Sequence, residues 1–145
     1  MKTTILAVAC TLALCSAMAG EWQTDAVKAQ EQAKQEGKLV LLDFTGSDWC
    51  SWCVKFKKEA LDTEEFKDYA DKNLVLVEVD FPNKKEQSAD LKKANQALKE
   101  KYKVTGFPTY VVLNGAGKEI GRQVGYEKGG AKAFIAKLNS FKKKG

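Results

Sequence analysis

Apolar residues in this chain follow two different periods, which predict alternating strands and helices. The runs 39–44 and 74–81 are short and almost continuously apolar, which is typical of strands covered on both faces. The segments 108–113 and 119–124 are predicted to be two further strands, because the turn Asn-Gly-Ala-Gly at 114–117 joins them as a hairpin. Four strands are therefore expected.

Helical spacing of apolar residues fills the segments between these strands. One predicted helix starts near Trp22 and ends at Gly37, and another runs from Cys50 to about Leu61. A last helix is predicted over 131–141. Two capping-box patterns open the remaining helices, namely Asp62 with Glu65 and Asn83 with Glu86.

The order of the predicted elements determines how the strands pair. The order is strand, helix, strand, helix, hairpin, helix. The first two strands need a crossover and should be parallel, whereas the hairpin adds an antiparallel pair. Helices should then cover both faces of a small mixed sheet. No repeat or internal linker interrupts the pattern, which indicates one domain.

The first 19 residues have the pattern of an export signal. Lys2 provides a basic start, the apolar run 5–14 follows, and Ala17-Met18-Ala19 places small residues at the cleavage site. The apolar run is shorter than the roughly 20 residues that span a bilayer. A lipoprotein signal acylated at Cys15 or Cys10 is the alternative. We expect residues 1–19 to be a cleaved signal and 20–145 to form the domain, which would be periplasmic or secreted.

Composition excludes several kinds of chemistry. The chain has a net charge of +5 and no histidine, so Ser-His-Asp and Cys-His nucleophilic sites are impossible. Both methionines lie within the signal. The lysine run 142–144 is expected to be a solvated helix end. Because no basic stripe with interleaved aromatic residues is present, we expect no nucleic-acid partner.

Cys50 and Cys53 are the two cysteines that remain outside the signal. A disulfide between them would close a very small ring, which stabilises a fold by only about 2 kcal/mol on the chain-entropy estimate. The pair follows a strand and starts a helix, where free backbone N–H groups and the helix dipole favour a thiolate. Cys50 is predicted to be the attacking nucleophile, and Cys53, one turn further along, the resolving thiol.

Two other uses of this thiol pair remain open. An inert disulfide could join the strand to the helix. A thiolate pair could also hold a soft ion such as Cu(I), although no thioether or imidazole is present to complete the site. We expect no metal and no cofactor.

The segment Phe-Thr-Gly-Ser-Asp-Trp-Cys-Ser-Trp-Cys at 44–53 resembles the active-site segment of thioredoxin-like proteins, especially exported bacterial ones. Val-Thr-Gly-Phe-Pro-Thr-Tyr at 104–110 resembles the cis-proline segment of that family, and 121–138 resembles its last strand and closing helix. The resemblance covers nearly all of 20–145. It implies an α/β fold, a three-layer α/β/α sandwich with a central mixed sheet, and thiol-disulfide oxidoreductase activity.

The resemblance also implies roles for residues around the cysteines. Pro108 would be cis, and the backbone of Phe107 could pair with an extended substrate segment. Trp49 would flank the nucleophile, Trp52 would lie half exposed beside the sulfurs, and Gly125 would allow a substrate backbone to approach closely.

Asp43 matches the buried aspartate that helps to move the proton of the resolving cysteine in thioredoxin. A carboxylate in an otherwise apolar strand needs a reason. The stretch from Asp43 to Cys50 is one residue longer here than in thioredoxin. Leu76 is expected at the position of the lysine that partners this aspartate on the neighbouring strand. Asp43 could therefore be displaced, or more strongly desolvated.

Ser51 and Trp52 separate the cysteines, and strong oxidants of the family tend to have a histidine there. Without it, the dithiol should be the better reductant. We expect a monomeric reductase that acts on protein thiols and disulfides and is kept reduced by a membrane electron-transport partner. The alternatives are a redox-inert binding module and a copper carrier.

Overall fold

A computed structural model of the chain, which describes residues 20–145, contains five strands and five α-helices. The predicted export signal lies outside these residues. The strands are β1 (Trp22–Gln23), β2 (Leu39–Thr45), β3 (Leu74–Asp80), β4 (Thr109–Leu113) and β5 (Glu119–Val124). The helices are α1 (Ala26–Glu36), α2 (Ser51–Phe56), α3 (Glu64–Asn73), α4 (Ala89–Lys101) and α5 (Gly130–Lys142), and a π-helical turn, Lys57–Leu61, continues α2.

The sheet has the strand order β1-β3-β2-β4-β5. β3 pairs in parallel with both β1 and β2, whereas β4 pairs antiparallel with β2 and β5. The predicted parallel pair, the hairpin and the mixed sheet are therefore confirmed. Because β2 lies at the centre of the sheet, both its faces are covered, which explains its continuous apolar run.

Helices cover the two faces of the sheet, which form two separate cores. Side chains alternate between faces along each strand. On one face, Leu39 and Leu41 of β2 pack with residues of α2, the π-helical turn, α3 and α5. On the other face, Val40 and Leu42 pack with residues of α1 and α4. The sandwich of three layers, α/β/α, is therefore confirmed.

The N-terminal end of the domain differs from its predicted structure. Trp22 does not start a helix but lies in β1, where it pairs in register with Leu76 of β3. The first helix begins at Ala26, because the side chain of Asp25 accepts hydrogen bonds from two backbone N–H groups of its first turn. It ends at Gly37, as predicted, in a left-handed conformation with φ of 66°.

Two helix caps also differ from the capping boxes in the sequence. The hydroxyl of Thr63, rather than Asp62, accepts a hydrogen bond from the N–H of Phe66 at the start of α3. Ser88, rather than Asn83, caps α4 in the same way. Hydroxyl, carboxylate and amide side chains are all good helix caps, so the pattern alone does not separate them. Within residues 20–145, no helix is long and apolar enough to cross a membrane.

Candidate active site

Cys50 and Cys53 form a disulfide where the loop after β2 enters α2. Cys50 is the N-cap residue of α2, and its Sγ accepts a hydrogen bond of 3.3 Å from the backbone N–H of Cys53. The residue Cys50 is 8% exposed and Cys53 is 3% exposed. A negative charge on the Cys50 sulfur would therefore be stabilised by a backbone N–H and by the helix N-terminus.

Asp80, at the end of β3, holds the loop that leads to the cysteines. Its buried carboxylate accepts hydrogen bonds from the backbone N–H of Ser47 at 2.9 Å and from the Ser47 hydroxyl at 2.5 Å. The side-chain amide of Asn95 in turn donates to the carbonyl oxygen of Asp80 at 3.0 Å. These contacts connect the cysteine loop to β3 and to α4.

Asp48 makes a second connection to the segment after β3. Its carboxylate accepts hydrogen bonds from the backbone N–H groups of Asn83, Lys84 and Lys85 at 2.6–2.9 Å. These hydrogen bonds hold the pKa of Asp48 below its usual value. The segment that begins at Asn83 therefore donates backbone hydrogen bonds to Asp48, and Asn83 does not cap a helix.

Trp49 lies beside the disulfide with 47% of its surface exposed. Its indole Nε1 donates a hydrogen bond of 2.7 Å to the carbonyl oxygen of Phe81. The ring packs edge-on against Phe107 with a centroid distance of 5.9 Å, and Phe107 stacks on Phe81 at 5.2 Å. Gly46 passes beneath the indole, where a Cβ would collide with the ring.

The peptide bond between Phe107 and Pro108 is cis. The carbonyl oxygen of Pro108 accepts a hydrogen bond of 2.8 Å from the backbone N–H of Gly125. Gly125 has φ of 80°, a conformation that glycine adopts without the steric cost of a Cβ. No atom lies within 4 Å of the position that a Cβ would take, so the space beside this backbone is open.

Trp52 is 54% exposed and packs against Tyr126, with 5.1 Å between the ring centroids. The ammonium group of Lys55 lies 5.4 Å from the Trp52 ring and 5.0 Å from the Tyr126 ring. The Tyr126 hydroxyl donates a hydrogen bond of 2.6 Å to Glu59. Trp52 is therefore held against the residue that follows Gly125.

Asp43 is buried on the face of β2 that packs against α2 and the π-helical turn. Its Oδ1 has no hydrogen-bond partner. Burial raises the pKa of Asp43 to about 8, with a further increase from the charges of Glu78 and Asp80 and an opposing effect from Lys57. Asp43 and Cys53 line the same cavity of about 390 Å³. The structure therefore brings this carboxyl and the second cysteine together.

The residue in register with Asp43 on β3 is Glu78, a carboxylate and not a lysine. Leu76 pairs with Leu41, two positions earlier in the ladder. The positive charge near Asp43 comes from Lys57 in the π-helical turn, not from the neighbouring strand. Strand register depends on pairing between distant segments, and the apolar pattern of one strand does not specify it.

Five residues of the site were not identified from the sequence, namely Ser47, Asp48, Lys57, Glu78 and Asp80. One signal was available for two of them. Alternate positions of β3 face the same core, and in Leu-Val-Leu-Val-Glu-Val-Asp the apolar face gives way to carboxylates at its end. A buried carboxylate next to a catalytic segment is a candidate functional group.

Between residues 20 and 145, no group of three or more carboxylate or thiolate residues is placed to hold a metal ion. An open groove of about 530 Å³ lies beside Cys50 on the side of α2, with Trp49 and Val54 in its wall. Val54 is 52% exposed although it lies in α2. The nucleophilic side of the site is therefore open and partly apolar.

Comparison with known proteins gives consistent matches. A family model described as a thioredoxin-like domain matches residues 26–142. The disulfide bond reductase DsbH of Chlamydia pneumoniae is 45% identical over 120 residues, which cover 83% of this chain and 71% of DsbH. The thioredoxin-related protein DsbJ of the same organism is 33% identical over 101 residues, 70% of this chain but 29% of DsbJ. A solved structure of DsbH oxidoreductase superposes with a TM-score of 0.80 at 40% identity and covers 98% of this chain and 95% of that one.

Proposed function

The chain belongs to the thioredoxin-like family, and on this premise we propose that it is an exported thiol-disulfide oxidoreductase that reduces disulfides of protein substrates. One observation carries the proposal. The Cys50 sulfur caps the N-terminus of α2 and accepts the N–H of Cys53, and Cys50 lines an open groove together with the exposed Trp49. A disulfide that only stabilised the fold would not need an open groove or a helix N-terminus.

Reduction of a substrate proceeds in two exchange steps. The Cys50 thiolate attacks one sulfur of the substrate disulfide, which forms a mixed disulfide and releases the other substrate sulfur as a thiolate. The Cys53 thiol then loses its proton, and its sulfur attacks Cys50. The Cys50–Cys53 bond forms, the bond from Cys50 to the substrate breaks, and the substrate has gained two electrons. Asp43 is the proposed proton acceptor for Cys53, because both line one cavity.

The proposed substrate surface consists of Trp49, Trp52, Phe107, Pro108 and Gly125. An extended segment of the substrate would lie along the backbone before Pro108, and the open space beside Gly125 supports this placement. Trp49 and Trp52 would provide apolar contact area on the two sides of the sulfurs. Their exposed fractions, about one half each, support such a role.

The reductive direction is supported by the residues between the cysteines and by a relative. Ser51 and Trp52 provide no cation that would stabilise the Cys50 thiolate and so the reduced form. The relative with 45% identity is named a disulfide bond reductase. The protein would act as a monomer, and a membrane electron-transport protein would return it to the dithiol form. The signal at 1–19 would direct the domain 20–145 to the periplasm.

Trapping with a purified disulfide protein tests the proposal. A Cys53→Ser variant should accumulate a mixed disulfide between Cys50 and a chain of insulin. Mass spectrometry of the intact adduct would detect it. The matched Cys50→Ser variant should accumulate none, because its remaining thiol is nearly inaccessible. The wild-type protein should also accelerate insulin reduction by dithiothreitol. Equal trapping by both variants would contradict the assignment of Cys50 as nucleophile and Cys53 as resolver. No trapping by either variant together with no acceleration would favour a redox-inert binding module.

The copper alternative has its own measurement. If the protein is not a copper carrier, inductively coupled plasma analysis of protein purified in the reduced state should find far less than one copper ion per chain. A stoichiometric copper content that Cys50→Ser abolishes would favour the carrier function.

A further inference from the structure

We propose that Glu78 relays the proton of Asp43 to solvent. In this way Glu78 sets the pH range in which Cys53 resolves mixed disulfides. The inference rests on the proposed function, because it concerns the second exchange step of that reaction. It goes beyond it by adding a second carboxyl group to the site.

The fold places the two carboxyl groups side by side. Asp43 and Glu78 are register partners in the parallel ladder of β2 and β3, whose backbones are about 4.8 Å apart. Both side chains point to the face that carries Leu41 and Leu76, because both positions have the same parity as those residues. This is the face that α2 and the π-helical turn cover.

Both carboxyl groups line the cavity that contains Cys53. Its volume of about 390 Å³ is large enough to admit water molecules, and its walls are polar enough to bind them. Asp43 is 5% exposed and its Oδ1 has no hydrogen-bond partner. Because no protein group is hydrogen-bonded to this atom, it is available to a water molecule in the cavity or to the proton of Cys53.

Glu78 also lines a second cavity, which Asp43 does not reach. This outer cavity of about 300 Å³ lies between β3 and α4 and is lined by Glu78, Asp80 and Lys85. Because Glu78 is only partly buried and Asp43 is fully buried, Glu78 is the carboxyl group through which a proton on Asp43 can reach solvent.

Charged groups from each neighbouring element face this pair. The charges of Glu78 and Asp80 on β3 raise the pKa of Asp43, and the charge of Lys57 in the π-helical turn lowers it. Tyr110 lies opposite Asp43 on β4, where burial and the charge of Asp43 keep its pKa above the usual value, so it remains neutral. The remaining ionisable residues in the cavity wall are Lys58, Asp62 and Lys85.

The proton and the electrons balance in the following step. The Cys53 thiol gives its proton to the Asp43 carboxylate, and the Cys53 sulfur attacks Cys50 of the mixed disulfide. The Cys50–Cys53 bond forms while the substrate leaves as a thiolate, so the dithiol is oxidised and the substrate disulfide is reduced. The proton on Asp43 passes to Glu78 and then to water, which restores the Asp43 carboxylate.

The pH profile of the resolving step tests this role. Stopped-flow absorbance can follow the release of nitrothiobenzoate from its mixed disulfide with Cys50 in Glu78→Gln between pH 5 and 10. Loss of the neighbouring negative charge should move the midpoint of the rate profile to lower pH by about one unit. The plateau rate should fall severalfold because the route to solvent is lost. Glu78→Asp, which keeps the carboxyl group, should retain the wild-type midpoint.

Glu119→Gln is the matched control, because Glu119 is a partly buried strand glutamate that does not line either cavity. Its profile should match that of the wild type. A Glu78→Gln profile with an unchanged midpoint would overturn the inference, whether the plateau falls or not, because a merely structural loss lowers the rate at every pH. If wild-type Cys53 does not release the thiol at all, the proposed function itself fails; if the wild type does so and Glu78→Gln keeps its midpoint, only the role of Glu78 fails.

Discussion

Ser47 donates two hydrogen bonds to the carboxylate of Asp80, one from its backbone N–H and one from its hydroxyl. Asp80 is 6% exposed and Ser47 is partly buried, so both bonds are partly shielded from water. The pair fixes the start of the loop that carries the cysteines, three residues before Cys50. The position of the nucleophile therefore depends on a carboxylate at the end of β3.

Removal of this carboxylate should weaken the fold and the loop together. Asp80→Ala leaves two partly buried donors of Ser47 unpaired and should lower the free energy of unfolding by about 2 kcal/mol. Ser47→Ala loses one hydrogen bond and should cost about 1 kcal/mol. Urea unfolding of the oxidised proteins gives both values. If Ser47→Ala costs as much as Asp80→Ala, the backbone hydrogen bond does not contribute in the way described.

The stability of the oxidised protein should depend on pH through Asp43. Its pKa is about 8 in the folded protein and near 3.8 in the unfolded chain. Between these values the folded state holds a proton that the unfolded state has released, so the free energy of unfolding should fall as pH rises from 4 to 8. Asp43→Asn removes this loss and should be more stable than the wild type at pH 8.5 by about 3 kcal/mol or more.

The same variant should differ little from the wild type at pH 4, where Asp43 is neutral in the folded protein. Urea unfolding at pH 4 and pH 8.5 measures both differences. An equal difference at the two pH values would show that packing, rather than the charge of Asp43, is responsible. In exchange assays, Asp43→Asn should slow the release of substrate from Cys50; unaltered rates from pH 6 to 9 would exclude a role in proton transfer.

Gly125 and Gly37 form a matched pair for testing the substrate surface. Both have positive φ, 80° and 66°, and at neither residue does an atom lie within 4 Å of the position that a Cβ would take. Gly125→Ala and Gly37→Ala should each cost about 1–2 kcal/mol of stability, because alanine is strained in this conformation. Only Gly125→Ala should also slow insulin reduction, because its methyl group enters the space proposed for the substrate backbone. Equal activities in the two variants would contradict that placement.

Trp49→Phe separates the hydrogen bond to Phe81 from the aromatic contact with Phe107. The variant loses the Nε1 donor and should be about 1 kcal/mol less stable. It should raise the KM for insulin more than it changes kcat, because the side chain is proposed to bind substrate rather than to react. Trp22→Phe, in β1 on the far edge of the sheet, is the control and should leave the KM unchanged.

Export can be tested through the N-terminus of the secreted protein. Intact-mass analysis after expression in a bacterium with an outer membrane should give a periplasmic chain that begins at Gly20. Ala19→Leu should block cleavage and leave the longer chain in the membrane fraction. A mass that corresponds to an acylated Cys15 would favour the lipoprotein alternative.

The central strands and the cysteine segment could be predicted because their signals are local. The apolar run of β2 requires cover on both faces, and a helix that starts at Cys50 follows from the residues after it. Strand β1 has two residues, which is too short to show a period. The pairing of Asp43 with Glu78 is non-local, and a shift of two positions in the ladder preserves every side-chain direction. For this reason the apolar pattern alone could not show that Glu78 lies in register with Asp43.

The π-helical turn Lys57–Leu61 is a position at which a homologue can lose one residue without disturbing the site. Such a turn is an α-helix into which one residue has been inserted, so deleting one residue can restore a regular α-helix. The cysteines lie before the turn and Thr63 lies after it. Homologues that are one residue shorter here can therefore keep both the cysteine geometry and the start of α3, whereas a deletion in Cys50–Cys53 would destroy the site. In an alignment of homologues, gaps in this region are expected to fall within residues 57–61.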